Sequence, residues 1–213
     1  MDIESDVLNV MGTMRAMRRL KPDAISDDLI HKILRAAIAA PNAGNRQKWR
    51  FVIVKDRSIK QRVQHYYKKA LDEYIAPQYK EDPLPAGVTR QQYDRQFSAV
   101  EYLTDHFHEA PVWIVACLDR LDHPETIWSG ASIYPAVQNI LIAARALGLG
   151  AVLTTRHTLY SAEVDAILEI PPGARSYAII PIGYPMGSFG PVQRRPLKDV
   201  VYLDRWGAAY SKD

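Results

Sequence analysis

The sequence predicts a single α+β or α/β domain, on three observations. Apolar positions at helical spacing alternate along the chain with short, unbroken apolar runs of strand length. No Pro-, Gly- or Ser-rich linker divides the 213 residues, a length suited to one core. With 47% hydrophobic and 24% charged residues, the composition is that of an ordinary folded domain. Disorder, collagen-like sequence and a coiled coil are set aside for the chain as a whole.

The elements follow in order. Asp2, Glu4 and Asp6 precede Val7, Leu8, Val10 and Met11, which predicts a short first helix with acids near its N-terminus. Ser26, Asp27 and Asp28 supply cap oxygens and first-turn charge for a second helix. Its apolar stripe is Leu29, Ile30, Ile33, Leu34, Ala37 and Ile38, and Pro41 ends it. Phe51-Val52-Ile53-Val54 reads as a buried strand, and residues 112–118 as another. Between them, residues 56–110 read as helical pieces around a prolyl loop, with Pro77, Pro83 and Pro85 as breakers and a lid over a site as the expected role.

Ile133, Val137, Ile140, Ala144 and Leu147 share one face of a further helix, stopped by Gly148 and Gly150. A strand over residues 151–154 follows. Ser161 opens a helix over residues 161–170, ended by Pro171-Pro172-Gly173, and residues 177–182 form a last strand.

Several classes of function fall away. The formal net charge of +3 makes no polyanion-binding surface, so any cationic site is local. Nucleic-acid binding would interleave basic residues with exposed aromatics, and residues 15–19 hold no aromatic. The one cysteine, Cys117, lies in an apolar run and reads as a small buried hydrophobe. His31, His65, His106, His108, His123 and His157 are scattered, and no metal site is expected. The start is acidic rather than a basic signal segment, and no apolar run is long enough for a bilayer, so no membrane association and a cytoplasmic location are expected. G-x-G-x-x-G, Walker and G-x-S-x-G motifs are missing.

Four stretches could carry chemistry. Met14-Arg15-Ala16-Met17-Arg18-Arg19-Leu20-Lys21-Pro22 packs cations together without an acid, and guanidiniums bind phosphate oxygens in pairs. Ala40-Pro41-Asn42-Ala43-Gly44-Asn45-Arg46-Gln47-Lys48-Trp49 combines small residues with amides suited to a polar ring edge. Leu153-Thr154-Thr155-Arg156-His157 is a strand end that can leave backbone N–H groups for a bound ring, with His157 a lone histidine beside it. Gly183-Tyr184-Pro185 and Gln193-Arg194-Arg195-Pro196 add a second cationic pair. Taken alone, the two cationic stretches read first as solvated turns, the 40–49 stretch also fits an ordinary helix-to-strand loop, and Trp49 reads as core.

Together and in this order, the stretches resemble the nitroreductase family of FMN-dependent oxidoreductases. Arg15 to Leu20 looks like the family's Arg-Ser-Ile-Arg-Arg-Phe. Residues 39–49 look like its Ala-Pro-Ser-Gly-Gly-Asn-x-Gln-Pro-Trp, residues 135–150 like its long central helix with a glycine exit, and Ile-Gly-Tyr-Pro and Arg-Arg-Pro-Leu-Lys-Asp-Val-Val complete the set. The resemblance implies an α+β fold, a central, mostly antiparallel sheet flanked by helices, in an intertwined homodimer with FMN at the interface.

It also implies that Arg15, Arg18 and Arg194 hold the FMN phosphate, with Arg19 and Arg195 beside them. Pro41, Asn42, Asn45 and Gln47 would contact the ring and ribityl chain, Thr154 and Thr155 would offer amides at the N5 edge, and Gln138 and Asn139 lie on the interface helix. The chain departs from the pattern at Met14, Ala16, Asn42 and Lys48. At Ala16 the family's serine hydroxyl is lost.

Donors at the N5 edge favour hydride uptake, so the chain needs no catalytic residue of its own. The implied activity passes hydride from NADH or NADPH through FMN to a nitroaromatic, a quinone or a related conjugated acceptor, with ping-pong kinetics. The alternatives are reductive dehalogenation or flavin breakdown under a lid carrying Tyr66, Tyr67, Tyr74, Tyr79 and Lys80, and a non-catalytic flavin-sequestering protein. The tail, residues 202–207, would pack on the partner subunit.

Overall fold

Val112–Leu118 is buried at every position and must therefore be covered on both faces; it forms an inner strand of the sheet. The computed structural model describes residues 3–81, 83–85, 87–119 and 127–210. Asp2, His123 and the Lys80 side chain lie outside that description.

The element order is α1 (Ile3–Thr13), α2 (Asp27–Ile38), β1 (Trp49–Val54), α3 (Arg57–Ala70), α4 (Ala76–Glu81), α5 (Arg90–Asp105), β2 (Val112–Leu118), α6 (Ile127–Ala146), β3 (Gly150–Ala151), α7 (Ser161–Ile167) and β4 (Arg175–Gly183). The strands form one sheet in the order β1-β2-β4-β3, antiparallel at every pairing. A bulge at Ala116/Cys117 shifts the β2–β4 register. The α+β reading with an antiparallel sheet flanked by helices is borne out.

Alternation along β2 divides the core in two. Val112, Ile114, Ala116 and Leu118 face α2 and α6, whose Ile30, Ile33, Ile133, Val137 and Ile140 are buried there. Trp113, Val115 and Cys117 face the other layer, with Val63 and Tyr67 of α3 and Leu103 of α5. Cys117 is buried as expected, and burial pushes its thiol pKa up to about 12.

Local chemistry sets the element ends. Ser26 Oγ accepts from Leu29 N–H at 3.4 Å and opens α2. A reciprocal Thr89–Gln92 capping box opens α5. Gly148 takes φ +75° after α6, a conformation that favours glycine.

Three expectations differ. Pro77 breaks nothing; it sits inside α4 because Leu71–Ile75 widens into a π-turn, where the Ala76 N–H reaches Leu71 O and the helix runs on. The strand expected over residues 151–154 pairs only at Gly150–Ala151; Thr154 bridges Ile179 in the same register, and the ladder is interrupted between them opposite Pro181, which has no N–H to donate. Helix α7 stops at Ile167, ahead of the prolines, because Glu169 turns left-handed at φ 54°.

Candidate functional site

Residues 14–22 run extended against the open side of β3. Met17 N–H donates to Ala151 O at 3.1 Å, Lys21 N–H to Tyr184 O at 2.8 Å, and Met186 N–H to Arg19 O at 3.0 Å. Met17 and Leu20 are buried anchors. The approach requires glycine at position 150, where a Cβ would meet Leu20 Cδ2 at 2.8 Å and Met17 Cβ at 2.9 Å. A second strap comes from the C-terminal part, where Val192 N–H donates to Gly12 O at 3.0 Å.

These two straps meet at a cavity of about 640 Å³ lined by Arg15, Ala16 and Arg18 from one and by residues 191–194, Arg194 included, from the other. Tyr79 and one face of α5 line it opposite. Among the described residues, no Asp or Glu lines it. Burial, with Arg156 and Arg15 nearby, lowers the Arg18 pKa against a smaller pull from Tyr79 and Tyr67, so its charge is held at a cost. Such a cavity is built for an anion.

The structure separates the other candidates from this cavity. Arg19 lies over the Tyr102 ring at 4.0 Å and lines a smaller adjoining cavity of about 280 Å³. Arg195 is exposed and lines neither. Pro41, Asn42, Asn45 and Gln47 do not line the cavity either. Their loop is tightly fixed: Gly44, Asn45 and Gln47 take φ of 58°, 50° and 51°, sparsely populated for the two amides. Asn42 Oδ1 accepts from Gln47 N–H at 2.8 Å, and Gln47 Nε2 donates to Asn45 Oδ1 at 3.1 Å.

Thr154 gives both its N–H and its hydroxyl to Ile179 O, at 3.1 Å and 2.6 Å, so its amide is closed to a ligand. The expectation of a free donor passes to exposed Thr155, whose N–H has no partner among the described residues. Gln138 is exposed on α6, whereas Asn139 Nδ2 donates to Ala36 O at 2.9 Å and ties α6 to α2. His157 is fully buried on Ser176 Oγ at 3.1 Å, a core histidine.

Of the expected lid tyrosines, Tyr67 is core, stacked on Phe107 with centroids 4.0 Å apart, and Tyr79 alone lines the cavity, against Phe97 at 4.4 Å. Phe107–Glu109 forms a short 3₁₀ turn, with His106 just before it paired to Glu109 at 2.9 Å. No three His, Cys, Asp or Glu side chains gather as metal ligands would among the described residues. Sequence reasoning passed over Gln92, Arg95 and Gln96, which line the cavity from α5. The signal was a polar stripe at helical spacing, opposite Tyr93 and Phe97.

Comparison with known proteins agrees with this fold. The sequence model of the nitroreductase family matches residues 13–184, and the chain belongs to that family. A candidate NADH dehydrogenase/NAD(P)H nitroreductase of Methanothermobacter thermautotrophicus is 29% identical over 94% of this chain and 88% of its own length. An iodotyrosine deiodinase of Thermotoga neapolitana is 28% identical over 84% of this chain and 87% of its own. A nitroreductase-type structure from Desulfovibrio desulfuricans in complex with FMN superposes with a TM-score of 0.69, at 26% identity, covering 94% of this chain and 97% of that one.

Proposed function

We propose that this protein is an FMN-dependent oxidoreductase that moves reducing equivalents from NADH or NADPH to a nitroaromatic, quinone or related conjugated acceptor. The observation that carries this reading is the meeting of Arg15, Arg18 and Arg194, from the two ends of the chain, at one cavity that no acid lines among the described residues.

The residues present fit the cofactor. Planar guanidiniums hold a phosphate monoester through paired, charge-assisted bonds, and among the described residues no carboxylate lines the cavity to compete. Ala16 adds no hydroxyl, so the phosphate rests on the arginines and on backbone. Thr155 offers to the ring edge an N–H that has no partner among the described residues. When bound, FMN supplies the hydride-accepting and hydride-donating chemistry. The chain's part is to bind, to orient and to exclude water.

We infer further that a second copy completes the site. The fixed 41–47 loop does not line the cavity of its own chain, so its amides serve the cofactor of the other copy. Helix α6 supports this reading: it buries Ile133, Val137 and Ile140 inward, yet leaves Trp128 73% exposed and Tyr134 exposed on the outside. Exposed aromatic side chains on a helix that already buries its other face call for a second covering surface. Val7, Leu8 and Met11 on α1, and Leu203 and Trp206 in the tail, extend the exposed apolar area.

The test is spectroscopic. Protein reconstituted with FMN is yellow and bleaches anaerobically on addition of NADH or NADPH; protein that stays colourless after reconstitution contradicts the reading. Reductive dehalogenation is the second reading, favoured by the similarity to an iodotyrosine deiodinase and by the α5 wall over the cavity. Turnover of iodotyrosine in preference to nitroaromatics and quinones would select it.

A further inference from the structure

Helix α5 has two unlike faces. Tyr93 and Leu103 are buried and Phe97 packs on Tyr79, which fixes the helix to the domain. The other face carries Gln92, Arg95, Gln96 and Val100 toward the cavity, at the three- and four-residue spacing of one helical stripe. Arg95 is the charged member of that stripe. It lines both the large cavity and the adjoining smaller one, each time together with Arg15 and Arg18.

Among the described residues no acid neutralises it. Its sequence neighbour Asp94 pairs instead with Arg90, at 3.9 Å, and Arg95 makes no ion pair among the described residues. No acid lines either cavity among those residues. A cation added to a wall that already faces Arg15, Arg18 and Arg194 raises the repulsion unless an anion sits between them.

We propose that Arg95 is a further ligand of the cofactor phosphate, supplied by α5 across the cavity from the two arginine straps. This inference rests on the FMN reading given above. A phosphate monoester carries about two negative charges and three acceptor oxygens near neutral pH, enough to engage donors from more than one side. The position of Arg95 separates this role from recognition of an acceptor molecule. It lies at the arginine end of the site, and neither Thr154 nor Thr155 lines the cavities it shares. Binding of the cofactor thereby fastens α5, and with it the wall that covers the site.

Riboflavin, which has the same ring and ribityl chain but no phosphate, provides the test. Full-length protein freed of flavin is titrated with FMN and with riboflavin, following quenching of flavin fluorescence, for the wild type, Arg95→Gln and Arg90→Gln. Arg95→Gln raises the Kd for FMN roughly tenfold and leaves that for riboflavin unchanged, while Arg90→Gln alters neither. An unchanged FMN Kd in Arg95→Gln overturns the inference. So does an equal loss for both flavins, which would mark a contact with the ring or a damaged fold. A wild type that binds both flavins equally removes the phosphate site as a whole, and one that binds neither overturns the FMN reading itself.

Discussion

The backbone N–H of Val192 donates to the carbonyl of Gly12 at 3.0 Å, and this bond joins the segment carrying Arg194 to the segment carrying Arg15. Both straps are extended and hold few side chains in the core beyond Met17 and Leu20. Their geometry therefore depends on a small number of backbone bonds. The cavity inherits its charge from that arrangement, since each strap alone would be a solvated basic turn.

Val192→Pro removes the donor while keeping the side chain apolar. It costs about 1 kcal/mol of stability, the net worth of one hydrogen bond. It also weakens FMN binding several-fold, because Arg194 loses its tether. Thermal unfolding and fluorescence titration read the two effects separately, and unchanged FMN affinity would show that the strap is not needed to place Arg194.

Arg18→Ala deletes a half-buried guanidinium with no carboxylate beside it among the described residues. FMN binding weakens by about 1.5–3 kcal/mol, the range for a lost charge-assisted bond. Arg195→Ala, outside the cavity lining, has the smaller effect of the two. Equilibrium titration at fixed salt compares them.

Gly150→Ala forces a methyl against Leu20 Cδ2 and Met17 Cβ, at 2.8 Å and 2.9 Å in the unrelaxed structure. Overpacking of this kind costs about 1–3 kcal/mol. The strain falls on the strap that carries Arg15 and Arg18, so FMN affinity drops along with the melting temperature. A variant that melts lower but binds FMN normally would uncouple the strap from the cavity.

Stability falls in mild acid through His157. Burial lowers its pKa to about 4, below the ordinary value of 6.5. Between those values the unfolded chain binds the proton and the native chain does not, so stability is full above pH 6.5 and is lost as pH falls toward 4. The loss from this group is of order 3 kcal/mol at the acid end. His157→Gln flattens the slope of stability against pH in urea titrations, and an unaltered slope assigns the acid sensitivity elsewhere.

Much of the fold was legible because its signals are local. Ser26 caps α2 through its own hydroxyl, and the unbroken apolar run of β2 demanded cover on both faces. Where pairing is non-local, the sequence was silent: nothing in residues 151–154 says that two residues pair while Thr154 bridges Ile179 on its own. Pro77 misled because the π-turn that accommodates it precedes it and has no composition of its own. The meeting of the arginine straps came from resemblance rather than from spacing. Arg95 was missed because a helical stripe shows which residues share a face, but not what that face meets.

The most direct measurement is a crystal structure of the protein with FMN bound. The account predicts that the phosphate lies within hydrogen-bonding distance of Arg15, Arg18 and Arg194 of one protomer. A phosphate held away from these three guanidiniums, or a flavin seated elsewhere on the molecule, would contradict it.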